Sequence, residues 1–454
     1  MQDIQREDKK YTSIQAIIET VLILAGLLAL LFLVPHGIYG DGEKRFLALS
    51  ELLAQRKIPD SEYSMVGPLF SAPLWYLGKR FWTAMAMCSQ YNWLIFAIGL
   101  GLTYLLLKDR MDRTLLRKFL LILTTASMFC MHVTAYYGEV FSALCVGIGV
   151  LALLSRRASC AGWIAIILGV VNTPASLAGL ICLVSKQLLN SKRLRYILLI
   201  VAAVALIMLE AWIRRGSPFT TGYANDHGFR TVMPYSGLAG FAYPFFFGLI
   251  SILFSFGKGL FFYAPGLLLP VRKTLLKSQE EENLVLYRAY LLWIFFLAGL
   301  VLIYSRWWSW YGGLFWGPRF FLIASIPASF ALAVRVHDKK NSSLLLNLFT
   351  LLVLNLSFWV GLNGAVYNDV STAIHVCTDN QYQLEILCHY TPEFSALWFP
   401  FVVHPALDQQ RALYLIYWIL AFAYLLVPLL IHIVKQLAEI TKNARYTYFR
   451  AWHF

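Results

Sequence analysis

Residues Ile38-Tyr39-Gly40-Asp41-Gly42-Glu43-Lys44-Arg45 stand just behind the first long apolar run of the chain, Ile14 to Val34, in which Glu19 is the single charged residue. A helix needs about 20 consecutive apolar residues to cross a bilayer. The run therefore predicts a membrane-spanning helix, and the polar stretch behind it predicts a surface turn where that helix leaves the lipid. Gly40 and Gly42 remove side-chain bulk on both sides of Asp41 and permit tight turns. Two readings fit this stretch by itself: an aspartate in a solvated turn, and a carboxylate held out to a ligand at the membrane surface.

The composition extends the first inference to the whole chain. Over 454 residues, 59% are hydrophobic, 16% aromatic and only 14% charged, against about 25% charged in soluble domains. This predicts an all-α polytopic membrane protein, with no reason to invoke nucleic acid for the net charge of +14. The basic residues lie in short clusters between apolar runs, as the positive-inside rule expects. The polar start, Met1 to Lys10, and the long run without a small-residue cleavage site predict an uncleaved anchor with a cytoplasmic amino terminus. Seven cysteines show no metal-ligand spacing, and only Cys377 and Cys388, which share a polar loop, invite a disulfide, a pairing the sequence leaves open.

Charge topology orders the rest. Lys108, Arg110, Arg113, Arg117 and Lys118 mark a cytoplasmic loop, which puts the preceding region, 39–90, on the exoplasmic side as a loop with two surface helices and a crossing from Tyr91 to Leu107. Phe119 to Ala135 and Val140 to Leu154 read as the next crossings, with Tyr136-Tyr137-Gly138-Glu139 as an exoplasmic turn. Two short half-helices meet at Asn172, and Tyr196 to Ile213 crosses outward with Glu210 and Arg214 as a local ion pair. A second exoplasmic loop spans 214–240. Between Gly237 and Pro270 only one crossing fits, favoured from Leu260 onward, with Phe241 to Phe256 partly interfacial. Tyr290 to Tyr304, Phe321 to Val334, Leu344 to Leu362 and Ala412 to Val434 complete the crossings, with a last exoplasmic loop at 363–411. The chain thus reads as one transmembrane unit, 1–454, of about 11 to 13 helices.

The exoplasmic residues then define a chemistry. Asp41 and Glu139 are acids on one face, and Lys258, Arg306 and Arg319 are basic residues there in aromatic or glycine-rich settings. An acid beside cations at headgroup level suits a substrate with a phosphate and an apolar tail, such as a polyprenyl-phosphate sugar. Phosphate is a good leaving group, so one carboxylate base is enough for transfer to an acceptor, while Arg and Lys stabilise the departing phosphate. Trp307, Trp308 and Trp310 fit a platform for sugar or isoprene units, and equally an interfacial aromatic belt. Arg306 and Arg319 also fit headgroup pairing, and Glu139 a helix-terminal anion. His375, His389 and His404 lack ligand spacing. The reaction needs no cofactor, although Asp41, Glu43 and Glu139 are hard oxygen donors open to a divalent metal.

The order of motifs adds a resemblance. Tyr39-Gly40-Asp41-Gly42-Glu43, Gly67-Pro68-Leu69, Tyr137-Gly138-Glu139, Gly216-Ser217-Pro218 with Thr221-Gly222-Tyr223, Gly257-Lys258-Gly259-Leu260 with Tyr263-Ala264-Pro265, and Trp307-Trp308 through Gly317-Pro318-Arg319-Phe320 follow one another along the chain. This series resembles the GT-C membrane glycosyltransferases, and most of all bacterial members of the protein O-mannosyltransferase and lipid A aminoarabinose transferase group. The resemblance implies a GT-C fold in a bacterial inner membrane, an exoplasmic active site, a polyprenyl-phosphate sugar donor and inversion at the anomeric carbon. It implies Asp41 as base, Glu139 as a nearby acid, Arg319 near the donor phosphate, and Tyr39, Tyr223, Trp307 and Trp308 toward substrate. The chain departs from the family at Gly42, where mannosyltransferases often carry a second acid, and at Gly67-Pro68, where they carry two prolines. The acceptor, whether lipid, glycan or protein, is left open. A transporter or flippase of a lipid-linked sugar is the alternative, but it predicts internal repeats and midplane charges, and neither stands out here.

Overall fold

A computed structural model describes residues 2–155, 157–223, 227–233, 236–276, 281–313, 315–367, 377–378 and 381–451, with side chains from 13 to 443 apart from 281 and 282. Every regular element among the described residues is helical. Among the described residues, seven helices are long and apolar enough to cross a membrane: Ser13–Phe32, Ala84–Leu107, Leu194–Arg215, Asn283–Tyr304, Arg319–His337, Leu344–Val366 and Gln409–Asn443. The chain is a helical integral membrane protein. Gly138–Leu153, Ser159–Asn172 and Phe245–Phe254 are shorter apolar helices.

Several predicted crossings are broken. The segment from Phe119 belongs to the Arg113–Thr125 helix, which stops at Ala126 and resumes for a single turn at Phe129–His132. The crossing expected from Leu260 is not a continuous helix: Leu260–Tyr263 gives way to a 3-10 turn, Pro265–Leu268, because Pro265 has no N–H to continue the ladder. In the first loop the surface helices are Asp41–Gln55 and Ala72–Phe81, and the apolar segment behind them starts at Ala84 rather than Tyr91. The half-helices at Asn172 are Ser159–Asn172 and Leu177–Ser191, joined through Pro174–Ser176.

The Arg319–His337 helix is the axis of the bundle, 89% buried, whereas Leu194–Arg215 at the periphery is only 11% buried. Phe330 on the axial helix packs edge-on against Phe119 at 5.6 Å and against Trp293 at 6.0 Å. The outer helix turns Leu198, Val201 and Trp212 outward, which is the arrangement lipid requires of an apolar exterior. Glu19, the lone charge of the first run, is fully buried. It meets Arg117 at 2.6 Å and accepts a hydrogen bond from the Tyr424 hydroxyl at 2.7 Å, so this intramembrane charge is paired, as its burial demands.

Polar ties fix one end of the bundle. The Gly37 amide donates to Thr134 O at 2.9 Å and the Tyr136 amide to Gly37 O at 3.3 Å, while Asn92 Nδ2 donates to Tyr137 O at 2.8 Å. Asn172 accepts from the Gly67 amide and donates to Gly138 O, both at 2.9 Å. The Glu210–Arg214 pair, 3.3 Å apart, reaches beyond its own helix. Glu210 accepts from Ser64 Oγ and the Met65 amide, and Arg214 donates to the carbonyls of Pro59, Ser61 and Tyr63. In the last loop Cys377 and Cys388 form a disulfide.

Candidate functional site

Asp41 is the first residue of the Asp41–Gln55 helix and Glu139 the second of Gly138–Leu153. Both carboxylates therefore sit at the positive end of a helix dipole. Arg319 opens the 3-10 segment that leads into the axial helix, and its guanidinium lies between them. Nη2 is 2.6 Å from Asp41 Oδ2, and Nη1 is 3.8 Å from Glu139 Oε1. The rings of Tyr137 and Phe320 flank the guanidinium at 5.0 and 5.2 Å. Arg319 is 8% exposed, and Arg319 Nε and Glu139 Oε2 are buried without a hydrogen-bond partner among the described residues.

Glycines make this approach possible. Gly40 carries φ 57° at the start of the Asp41 helix, a conformation that costs an L side chain dearly. A Cβ on Gly42 would stand 2.6 Å from Tyr136 O, a backbone atom. The helix therefore abuts the Tyr136–Glu139 segment, and a second acid at position 42 has no room. Gly312, at φ 74°, lets the loop close over Arg319, whose Cγ would lie 2.9 Å from a Cβ there.

Two residues outside the expected set complete the surroundings of Asp41. The Tyr63 hydroxyl donates to the Asp41 carboxylate, and the Arg45 guanidinium lies over the Tyr63 ring at 4.7 Å. Burial opposes the charged form of Asp41. The charge and hydrogen bond of Arg319, the Tyr63 hydroxyl and the charge of Arg45 outweigh it and hold the carboxyl below its ordinary range. Arg45 had a signal in the sequence, since it follows Asp41 by four residues and so shares its helix face. Tyr63 had none, because contacts between residues far apart in the chain, among them Arg214 with the Ser61 and Tyr63 carbonyls and Lys44 with Glu62, bring its loop back.

The other expected residues divide. Tyr39 meets Tyr137 edge-on at 5.9 Å, and burial pushes its hydroxyl up to about 12. Tyr223 lies between Tyr63 at 6.3 Å and Trp307 at 6.2 Å, so a series of rings runs from Tyr63 beside Asp41 to Trp307. Lys258 stands behind the loop that leads to Arg319: its buried ammonium donates to the carbonyls of Gly313, Phe315 and Gly317 and so braces that loop. Arg306 is exposed and donates to Phe241 O at 3.1 and 3.2 Å. Trp308 packs beside Tyr311 and Gly228 around a separate cavity.

Among the described residues no three His, Cys, Asp or Glu side chains gather as a metal-ligand set, and His375 lies outside those residues. Asp41 and Glu139 face one another across a guanidinium, so the locus couples one cation to two carboxylates in a largely dehydrated setting. Such a site can accept a proton at Asp41 and offer a planar, bidentate cation to an oxyanion. No family model, curated protein or solved structure matches this chain.

Proposed function

We propose that the chain is an inverting glycosyltransferase of the GT-C type, which moves a sugar from a polyprenyl-phosphate donor to a hydroxyl or amine acceptor. In this reading the Asp41 end of the bundle is the exoplasmic face of a bacterial inner membrane and the amino terminus is cytoplasmic. The observation that carries it is the Asp41–Arg319 pair with Glu139 behind it. The pair is a resting latch: Arg319 occupies Asp41 and lowers its basicity. A donor phosphate competes for the guanidinium fork, and Asp41, deprived of its counter-ion, becomes the stronger base.

Asp41 then takes the proton of the acceptor O–H or N–H as that atom attacks the anomeric carbon. The bond from that carbon to the phosphate oxygen breaks, and its electron pair leaves with polyprenyl phosphate, which Arg319 stabilises. Glu139 keeps the guanidinium in place while Asp41 is released from it.

The test uses purified protein in lipid nanodiscs, a pool of polyprenyl-phosphate sugars from cell envelopes, and mass spectrometry of released polyprenyl phosphate. Asp41→Asn lowers turnover by about 10²-fold or more while leaving donor binding. Full turnover in that variant overturns the assignment, and donor binding without turnover in the wild type favours a flippase.

A further inference from the structure

We propose that the cavity at the end of the bundle opposite Asp41 binds a phosphate-bearing anion, either the headgroup of an acidic phospholipid or a soluble phosphate. It lies between the start of the Arg113–Thr125 helix and the end of the Arg319–His337 helix, and its volume is about 360 Å³, within the range of small-molecule sites. The axial helix holds it roughly 30 Å from the Arg319 end, so it is a second site and does not rest on the chemistry proposed for Asp41. Its polar wall comes from three parts of the chain: Arg110 and Asp112, Thr274 and Asn283, and His337 and Asp338.

Among the described residues, three cations here have no counter-ion in direct contact. Arg110 forms no ion pair, and its Nη1 is buried without a hydrogen-bond partner. Lys118 follows the wall residue Leu115 by three positions and so shares its helix face. It is 8% exposed and makes neither a side-chain hydrogen bond nor an ion pair. Lys339 is unpaired as well, and burial with the like charges of Lys118 and Lys340 pushes its ammonium down to about 8. A charge taken out of water is unfavourable until an opposite charge joins it. A phosphate supplies that charge, with oxygens that suit the planar guanidinium fork of Arg110.

The acids of the neighbourhood already have partners. Glu19 meets Arg117 and the Tyr424 hydroxyl. Asp112 Oδ1 accepts from the Leu115 amide at 2.8 Å and lies 3.9 Å from His337 Nε2. Asp338 Oδ1 accepts from Asn341 Nδ2 at 2.7 Å, and its Oδ2 lies 4.0 Å from Arg335 Nη1. Thr274 Oγ1 accepts from Arg335 Nη1 at 2.7 Å, which leaves its hydroxyl proton to donate to an anion. Basic pockets between membrane helices suit acidic headgroups. The side chains of Asp112 and His337 are 56% and 38% exposed, so the mouth also admits a soluble phosphate.

The test has two arms, both on the full-length protein. In lipid-stripped micelles, inorganic phosphate is titrated against sodium chloride at equal ionic strength and binding is read by calorimetry. In nanodiscs of phosphatidylcholine with a minor share of phosphatidylglycerol, the lipid retained by the protein is read by native mass spectrometry. At least one probe binds saturably, and Arg110→Gln and Lys118→Met each weaken it about tenfold. Arg193→Gln, which removes an exposed charge from another loop, leaves it unchanged. Phosphate binding in the first arm assigns a soluble ligand, and retained phosphatidylglycerol without it assigns a headgroup. If Lys118→Met fails to fold, Arg110→Gln decides, because Arg110 is half-buried in a turn. The proposal is overturned if neither probe saturates a wild type with intact thermal unfolding. It is equally overturned if both variants bind like wild type, which would place the anion elsewhere, or if Arg193→Gln weakens binding as much as they do, which would make the effect one of net charge.

Discussion

Arg319 Nη2 lies 2.6 Å from Asp41 Oδ2, and this contact joins the first surface helix to the most buried helix of the bundle. Removing the acid separates chemistry from architecture. Asp41→Asn is expected to lower transfer by about 10²–10⁴-fold, the usual share of a general base. The variant also has a pH signature. Because the folded carboxyl is held below its ordinary range, the unfolded chain takes up the proton first as pH falls. Its stabilisation is complete above the ordinary value of ~3.9 and is lost as pH falls through the folded value. Thermal unfolding of Asp41→Asn between pH 5 and pH 3 should fall less steeply than wild type.

Truncating the cation is costlier. Arg319→Met removes the nearest counter-ion of both Asp41 and Glu139 and leaves Asp41 the weaker influence of Arg45, and the expected loss of stability is about 3–5 kcal/mol. Arg319→Lys keeps the charge but not the fork. It should fold, and should weaken donor binding measured by competition with polyprenyl phosphate. Equal donor affinity in Arg319→Lys would show that the planar geometry is unused.

Gly42→Ala places a methyl group 2.6 Å from the Tyr136 carbonyl oxygen. Since backbone cannot step aside cheaply, overpacking of about 1–3 kcal/mol is expected, together with a displaced Asp41 and reduced transfer. Gly101→Ala is the control, because nothing lies within 4 Å of its Cβ. In a helix it should be neutral or slightly stabilising. Parallel thermal melts of the two variants check the pair.

Asn172→Ala releases the Gly67 amide and Gly138 O together. Leaving such buried groups unpaired costs about 1–3 kcal/mol, and hydrogen exchange should rise first in the Val66–Leu69 turn and at the start of the Gly138–Leu153 helix. Unchanged exchange at both places would contradict the tie.

Glu385 gives the opposite pH dependence from Asp41. Burial raises its carboxyl from 4.5 to about 7, so between those values the folded protein binds more protons than the unfolded chain. Stability therefore falls as pH rises across that window. Glu385→Gln removes this slope, and a comparison of thermal unfolding at pH 5 and pH 8 measures it.

Much of the helix pattern was legible because apolar runs of membrane length need no partner to be recognised. Leu344–Val366 and Asn283–Tyr304 stand close to where the runs predicted them. The segment from Leu260 was misread because its apolar length is real while Pro265 divides it, and burial in protein rather than lipid tolerates the break. At the site, Asp41, Glu139 and Arg319 were each visible as polar residues in glycine-rich or aromatic motifs. Lys258 looked the same in the sequence, and its role as a brace for three carbonyls depends on where the Gly312–Gly317 loop turns. The Glu385–Tyr311–His389 cluster had no local pattern at all.

The sequence by itself determined a helical chain of membrane length, with its acids and aromatic arginine motifs in the turns between helices, because hydropathy and turn chemistry act over short stretches. Which of those charges meet was decided by the tertiary structure alone. The Tyr136–Glu139 segment, the Gly42 contact and the Gly312 turn set the distance between Arg319 and its two carboxylates, and an electrostatic interaction depends on that distance and on burial rather than on separation along the chain.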